Sequence, residues 1–317
     1  MKPPRFWAHD GVLPRILSPL SALVAQSTAR RVSRPGWRAP VPVLCCGNAG
    51  VGGAGKTTLA LDLVRRLQGR GLAVHCLTRG YGGRTRGVVR VDPAIHDAAL
   101  VGDEPLLLAA AAPTWVSADR AAGARAAVAA GAGMLVMDDG LQNPGLIQDL
   151  ALLVVDGASG FGNGRVLPAG PLREPAAAAA ARCRAAVLIG PDAAGARAVL
   201  PPDMPVLPAQ LKPDQPLQGR RVLAFAGIAR PSKFFQMLHD AGAEVAATIG
   251  FPDHHRFTTP ELDGLLRRAT ALGAEPATTP KDATRLSPSL RAQILIVGVS
   301  LAWDDPTGIE ALLDTLQ

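Results

Sequence analysis

The chain has 317 residues and a formal net charge of +7, and 48% of its residues are hydrophobic whereas only 4% are aromatic. This length suggests about two domains of ordinary size, with cores packed mainly from Ala, Val and Leu. The positive charge does not indicate a nucleic-acid-binding fold, because seven basic residues and one acidic residue lie within the first 40 positions. The remaining residues carry a net charge of only +1, so no nucleic-acid partner is predicted.

The first 38 residues are predicted to form a basic segment with an amphipathic helix. Its apolar residues recur at helical spacing: Leu13, Ile16, Leu17, Leu20, Leu23 and Val24. Pro19 is expected to kink the helix or end a turn. Arg15 interrupts the apolar run, so the segment lacks the roughly 20 apolar residues that cross a bilayer, and the same break argues against a signal peptide.

Two interpretations of this N-terminal helix remain open. An apolar face with a flank of arginines at positions 30, 31 and 34 is typical of a helix that lies on an anionic membrane surface. The alternative is a helix packed on the first domain, with the arginines as ordinary solvated charges. The pattern favours the membrane.

The strongest local signal is a phosphate-binding loop after the apolar run at positions 41–46. It has a glycine, four residues and then Gly-Lys-Thr, followed by a helical apolar repeat. Glycines allow successive N–H groups to turn toward a phosphate, and the helix adds its N-terminal dipole. Lys56 is predicted to reach the outer phosphates and Thr57 to bind Mg²⁺. The predicted nucleotide-binding residues are Gly50, Val51, Gly52, Gly53, Ala54, Gly55, Lys56, Thr57 and Thr58.

Two carboxylate pairs follow the phosphate loop in the chain. Asp103 and Glu104 precede an apolar helical run, where charge complementing the helix dipole is the favoured interpretation if the pair is judged alone. Asp138 and Asp139 end an apolar strand. In P-loop enzymes the strand beside the loop strand ends in an aspartate that supports Mg²⁺, so a magnesium role is favoured over a turn cap.

The four cysteines, at positions 45, 46, 76 and 183, lack metal-ligand spacing and are predicted to be small core residues of a cytosolic protein.

A second α/β unit is predicted in the last third of the chain. The proline-rich stretch around positions 201–216 indicates a linker, which we place at 206–219 between domains at 39–205 and 220–317. The last strand is expected at 294–299. His254 and His255 lie in a strand-end loop without a third ligand nearby, which disfavours zinc and leaves a hydrated surface pair or a catalytic role.

Taken together, these loops resemble the tetraacyldisaccharide 4′-kinase family, the lipid A 4′-kinases of Gram-negative bacteria. The matching segments run in order over nearly the whole chain, at 47–57, 79–83, 102–105, 138–142, 161–164, 167–174, 253–254 and 281–282. The resemblance implies two α/β/α domains, the first a P-loop NTPase-like parallel sheet, with the active site between them. It also implies an N-terminal helix that contacts the inner membrane.

The resemblance also implies the reaction and the residues that carry it. ATP, with Mg²⁺, would phosphorylate the 4′-hydroxyl of a tetraacyldisaccharide 1-phosphate at the cytoplasmic face of the inner membrane, to which the protein would bind peripherally. Asp103 would act as the base and His254 as its partner. Glu104 and Asp138 would join Thr57 on the magnesium side, while Asp139 and Lys56 would lie close to the reacting groups.

Three positions depart from the family pattern, and one alternative function remains. Thr58 stands where proline is usual, Ala49-Gly50 replaces a pair ending in Thr or Ser, and Asn143 replaces a histidine. The alternative is a membrane-associated P-loop switch or partitioning ATPase. Such a protein would need a water-orienting residue and a loop that reorders with the γ-phosphate.

Overall fold

The computed structural model describes residues 4–316, which form a nine-stranded sheet and a four-stranded sheet. The strands are β1 (Val43–Gly47), β2 (Val74–Thr78), β3 (Val88–Arg90), β4 (Thr114–Ser117), β5 (Met134–Asp138), β6 (Leu150–Asp156), β7 (Ala185–Ile189), β8 (Val206–Pro213), β9 (Arg221–Ala226), β10 (Glu244–Gly250), β11 (Glu275–Thr278), β12 (Leu295–Ile296) and β13 (Val299–Trp303). The helices are α1 (Val12–Val32), α2 (Lys56–Gly69), α3 (Ala98–Val101), α4 (Asp103–Ala109), α5 (Arg120–Ala129), α6 (Ala176–Ala180), α7 (Pro231–Asp240), α8 (Thr259–Ala271), α9 (Pro280–Ala283), α10 (Pro288–Arg291) and α11 (Thr307–Asp314).

The large sheet has the strand order β13-β8-β7-β6-β1-β5-β2-β4-β3. The seven strands from β8 to β4 are parallel, and β13 and β3 pair antiparallel at the two edges. Residues of β1 alternate between two core clusters, with Val43 and Cys45 on one face and Leu44 and Cys46 on the other. Both faces are buried, which explains the unbroken apolar run of this strand.

The small sheet, β10-β9-β11-β12, is entirely parallel. Phe234 of α7 packs in one core cluster with Val222, and Leu262 of α8 packs in another with Leu223. Neighbouring residues of β9 therefore face opposite helices. Helices thus cover both sides of this sheet, and the predicted α/β fold class is confirmed.

The boundary between the two units differs from the predicted one in two places. Val206–Pro213, at the start of the predicted linker, is a strand of the large sheet paired with β7 and β13. The predicted last strand at 294–299 divides instead: Leu295–Ile296 pairs in the small sheet, whereas Val299–Trp303 pairs antiparallel with β8. The small unit is therefore inserted between β8 and β13 of the large one.

After the small unit, the chain returns to the large unit, where helix α11 packs against α2. Ile309 and Leu313 of α11 share a core cluster with Leu63 of α2. Arg66 of α2 and Arg70, which caps its carboxyl end, both pair with Glu310 of α11. These contacts make α11 part of the core that supports the phosphate loop.

The N-terminal helix α1 packs on the large unit through small polar residues. The Ser21 hydroxyl donates to the Val166 carbonyl at 2.7 Å and accepts from the Ala169 N–H at 3.1 Å. The Thr28 hydroxyl donates to the Arg173 carbonyl at 3.2 Å. The helix runs through Pro19 and continues to Val32, so of the two expected effects of this proline the helix does not end there.

Most of the apolar stripe on α1 faces away from the protein. Its exposed members are Leu13, Ile16, Leu20 and Leu23, with Ile16 and Leu23 exposed by 67% and 64%, and the neighbouring Val12 is exposed as well. Leu17 and Val24 are half-buried. Across positions 4–316, no helix combines the length and apolar character needed to span a bilayer.

Candidate active site

The phosphate loop lies between β1 and α2, at the centre of the carboxyl edge of the large sheet. Gly52 and Gly55 adopt φ values of 112° and 91°, a region that favours glycine. The Val51 N–H donates to the Pro171 carbonyl at 2.8 Å, which fixes the loop against a neighbouring segment. Because α2 begins at Lys56, the N–H groups of its first turn have no partners within the helix and can bind phosphate.

Lys56 is held above this loop by two groups. Its ammonium donates to the buried Asn48 side chain at 3.0 Å and lies 3.6 Å from a carboxylate oxygen of Asp139. The sequence analysis assigned no role to Asn48. Its signal was its position in the Gly-Asn pair that follows β1.

Asp138 and Glu104 each present a buried oxygen without a hydrogen-bond partner among residues 4–316. The Thr57 hydroxyl donates to one Asp138 oxygen at 2.8 Å, while the other Asp138 oxygen has no hydrogen bond within the described residues. One Glu104 oxygen pairs with Lys281 at 2.7 Å, and its second oxygen is likewise unpartnered. Burial raises the pKa of Asp138 to about 6. Carboxylate and hydroxyl oxygens are ligands that Mg²⁺ accepts, so these residues fit a divalent cation.

Asp139 faces the same space and is held by an arginine that the sequence analysis left without a role. Arg173 donates to both Asp139 oxygens, at 2.8 and 3.1 Å. Although burial acts to raise it, the charges of Lys56 and Arg173 hold the pKa of Asp139 below its ordinary value. The backbone N–H of Arg173 donates to the Ala49 carbonyl at 2.7 Å. Arg173 thus connects Asp139 to the phosphate loop.

Asp103 and His254 meet across the cleft between the two units. Asp103 begins α4 of the large unit, and His254 lies in the loop after β10 of the small unit. The His254 Nδ1 atom is 2.7 Å from a carboxylate oxygen of Asp103. His255 turns instead to Glu261, at 3.1 Å. Between residues 4 and 316, no three His, Cys, Asp or Glu side chains converge as a metal cluster.

Arg285 is a further contact of Asp103 that the sequence analysis missed. Its Nε donates to one Asp103 oxygen at 2.9 Å, and its Nη2 donates to the other. Although burial opposes it, hydrogen bonds from His254 and Arg285 lower the pKa of Asp103 to about 2. No local sequence signal pointed to Arg285, because its contact with Asp103 forms only when the two units pack together.

A second set of contacts joins the small unit to the phosphate loop. Asp156, at the end of β6, pairs with Arg230 at 2.5 Å and with Lys233 at 2.7 Å. Arg230 also donates to the Gly53 carbonyl at 3.2 Å. Both cations lie at the start of α7. The small unit thus contacts the sheet edge at two separate places.

A cavity of about 670 Å³ opens between the units beside Asp103 and His254. Leu106 and Leu107 of α4 contribute apolar wall to it. The side-chain oxygen of Asn143 accepts from the Gly145 N–H at 3.0 Å in a tight turn. The other predicted site residues lie either at the carboxyl edge of the large sheet or in the cleft between the two units.

Comparison with known proteins finds relatives that match nearly the whole chain. The profile of the tetraacyldisaccharide-1-P 4′-kinase family matches residues 13–317. The tetraacyldisaccharide 4′-kinase of Gluconacetobacter diazotrophicus is 61% identical over 319 residues, which cover 99% of this chain and 98% of the relative. That of Rhodospirillum centenum is 55% identical over 327 residues, covering 100% and 97%.

A solved structure shares the fold. The "apo" form of LpxK from Aquifex aeolicus in complex with ATP superposes with a TM-score of 0.76 at 25% identity. The match covers 96% of this chain and 99% of the other.

Proposed function

We propose how the chain, which belongs to the tetraacyldisaccharide-1-P 4′-kinase family, performs the reaction of that family. The reaction is the ATP-dependent phosphorylation of a lipid disaccharide in lipid A biosynthesis. The observation that carries our account is the Asp103–His254 contact of 2.7 Å across the cleft, beside the phosphate loop. This contact would place the site of the acceptor hydroxyl next to the phosphate loop, which would hold the phosphoryl donor ATP.

ATP occupies the phosphate loop in this account. The N–H groups at the start of α2 receive the phosphates, and Lys56 moves from Asn48 and Asp139 to the outer phosphates. The related Aquifex protein was crystallised with ATP, which supports this nucleotide. Phosphoryl transfer needs little covalent chemistry, so placement and neutralisation of charge contribute most of the acceleration.

Thr57, Asp138 and Glu104 would hold Mg²⁺ beside the phosphates. The support is the pair of buried oxygens without partners on the two carboxylates, together with the Thr57 hydroxyl at 2.8 Å from Asp138. Magnesium when bound would neutralise charge on the transferred phosphoryl group. Water and phosphate oxygens would complete its coordination, as is usual for this ion.

Asp103 serves as the base that accepts the proton of the 4′-hydroxyl. An aspartate is too weak a base to remove this proton in the ground state. It can accept the proton late, as the bond to phosphorus forms, if a neighbour orients its carboxylate. His254 is the orienting partner. Asp139, held by Arg173, lies close enough to Lys56 to place the reacting groups.

The protein acts at the cytoplasmic face of the inner membrane, to which α1 attaches it peripherally. The support is the direction of its side chains, because Ser21 and Thr28 bind inward while Ile16 and Leu23 are exposed. Burying exposed apolar side chains in the interfacial region is favourable, and the arginines after the helix attract anionic lipid.

One assay separates this function from a P-loop switch or partitioning ATPase. Protein, γ-labelled ATP and tetraacyldisaccharide 1-phosphate in detergent micelles should give labelled lipid. Lys56→Ala should nearly abolish transfer in a folded protein, whereas the exposed Lys212→Ala should leave it unchanged. Release of free phosphate without lipid labelling would support the switch and contradict the kinase.

A further inference from the structure

Arg285 contacts both oxygens of the Asp103 carboxylate from the opposite side of the cleft. Its Nε lies 2.9 Å from one oxygen, and its Nη2 donates to the other. This is a fork-to-fork contact, which fixes the plane of a carboxylate as well as its position. His254 reaches only one of these oxygens, at 2.7 Å, so its single contact leaves rotation about the Asp103 side chain free.

The guanidinium is itself immobilised within the small unit. Its Nη1 donates to Asp282 at 3.0 Å and to the Gly227 carbonyl at 3.2 Å. Asp282 is fully buried and accepts from the Gly227 N–H at 3.0 Å. The Arg285 side chain is only 6% exposed. A group fixed this firmly can transmit its own position to the carboxylate that it binds.

Other charges surround this pair without competing for the same contact. Lys281 binds Glu104 at 2.7 Å. Asp253 lies 3.8 Å from the second ring nitrogen of His254. Within the described residues, the partners of the Asp103 carboxylate are His254, Arg285 and, at 3.5 Å, the Thr284 hydroxyl. Of these, Arg285 alone contacts both oxygens at close range.

We propose that Arg285 is a positioning residue, which fixes the carboxylate plane of Asp103 so that its free lone pair faces the acceptor hydroxyl. This inference rests on the proposed function, in which Asp103 accepts the hydroxyl proton. A residue of this kind acts after both substrates have bound. Its loss therefore lowers kcat and leaves the KM for ATP nearly unchanged. A mere clamp between the units would instead alter nucleotide binding and stability together.

The test compares Arg285→Gln and Arg285→Lys with wild type in the lipid-labelling assay. Arg285→Gln removes the fork and should lower kcat by about a hundredfold, since misplacement by about 1 Å costs that much. The KM for ATP should change by less than about threefold. Arg285→Lys keeps the charge and should recover about tenfold of the loss. Arg220→Gln removes an arginine paired with Glu275 on the same unit, away from the cleft, and should be unchanged.

Each outcome decides a separate question. In an Asp103→Asn background, Arg285→Gln should add little further loss, because groups acting as a unit are non-additive. An equal loss in both backgrounds, or normal kcat in Arg285→Gln, would overturn the positioning role while wild-type transfer upholds the kinase. If Arg285→Gln does not fold, the less disruptive Arg285→Lys decides: a kcat equal to wild type contradicts the inference. No transfer by wild type would contradict the proposed function itself.

Discussion

Two residues of the site have backbone conformations that residues other than glycine rarely adopt. Asp139 and His254 have φ values of 57° and 59°, and they are the only non-glycine residues with positive φ between residues 4 and 316. Such conformations cost roughly 1–3 kcal/mol each and persist where surrounding contacts impose them. Arg173 holds Asp139 and Asp103 holds His254, so the strain lies where the site orients its charges.

The Asp103–His254 contact should behave as a single catalytic unit. Asp103→Ala and His254→Ala should each lower kcat by roughly a hundredfold or more, the usual scale for an acid–base group. The double variant should be little worse than the poorer single one, and the KM for ATP should stay close to wild type. Steady-state kinetics with the lipid acceptor measures all three. Fully additive losses would show that the two side chains act independently.

Asp138 should make the metal-free protein less stable as the pH rises. Its folded pKa is raised by burial from 3.8 to about 6, so its contribution is present below pH 3.8 and is lost as pH rises through about 6. Two pKa units correspond to about 3 kcal/mol. In EDTA, the free energy of unfolding of wild type relative to Asp138→Asn should fall by up to that amount between pH 4 and 7.

The same measurement with Mg²⁺ and a non-hydrolysable ATP analogue provides the control. Wild type should regain stability above pH 6, and Asp138→Asn should gain less. A pH-independent difference between the two proteins in EDTA would contradict a raised pKa at Asp138.

At this scale the sequence predicted residues that belong to a motif or to the family pattern, including the distant pair Asp103 and His254, and it missed Arg285, which lies in none of the matching segments. Lys56, Thr57 and Asp138 follow from a short pattern and its neighbouring strand. Arg285 lies 182 positions from Asp103, and no local pattern distinguishes a cleft arginine from a surface one. The contact depends on how the two units pack, which spacing within either unit does not encode.

At the scale of single elements, α1 reverses the usual arrangement of an amphipathic helix. A surface helix normally buries its apolar stripe in the core, whereas α1 buries Pro14, Ser21 and Thr28 and exposes most of its apolar residues. The periodicity predicted the helix and its stripe. It could not predict which face the protein covers, because hydroxyl groups bonded to loop carbonyls replace apolar packing there.

The exposed stripe should drive binding to anionic vesicles. Ile16→Gln combined with Leu23→Gln should weaken partition onto phosphatidylglycerol-containing vesicles tenfold or more, because each lost apolar contact costs about 1–2 kcal/mol. Val199→Gln changes an equally apolar and 49% exposed residue elsewhere and should have no effect. Co-sedimentation measures both.

Two further results bear on the role of α1 at the membrane. Removal of residues 1–34 should weaken partition as well, and higher salt should weaken binding of the intact protein because surface charges are screened. Equal vesicle binding by the intact and truncated proteins at low salt would mean that α1 only packs on the large unit.

The strand β8 was mistaken for a linker because of its composition. Pro208 and Pro213 lie within it, and proline lacks the N–H that a strand ordinarily donates, so such a segment reads as a loop. The strand nevertheless pairs on both sides, with Pro208 in register with Leu188 and Pro213 in register with Val299. Tertiary context overrides local propensity here.

At the scale of the whole molecule, the large unit is completed by residues that follow the small one in the chain. Leu313 of α11 is fully buried in the core cluster that includes α2. Leu313→Ala should therefore lower the free energy of unfolding by about 2–5 kcal/mol. It should also reduce the amount by which bound nucleotide stabilises the large unit against urea. Leu211→Ala, at a 39% exposed leucine of β8, should cost much less. Urea unfolding with and without nucleotide measures both effects, and destabilisation confined to the small unit would contradict this placement of α11.

The insertion of the small unit between β8 and β13 also bears on the order of folding during synthesis. The parallel strands of the small sheet and their helices are translated as one uninterrupted stretch, and they can pack together as soon as that stretch leaves the ribosome. The large sheet has no such opportunity, because its edge strand β13 and the covering helix α11 are translated afterwards. Until then α2 keeps an uncovered apolar face directly behind the phosphate loop. The small unit can therefore fold on the nascent chain before β13 and α11, which complete the large unit, have been translated.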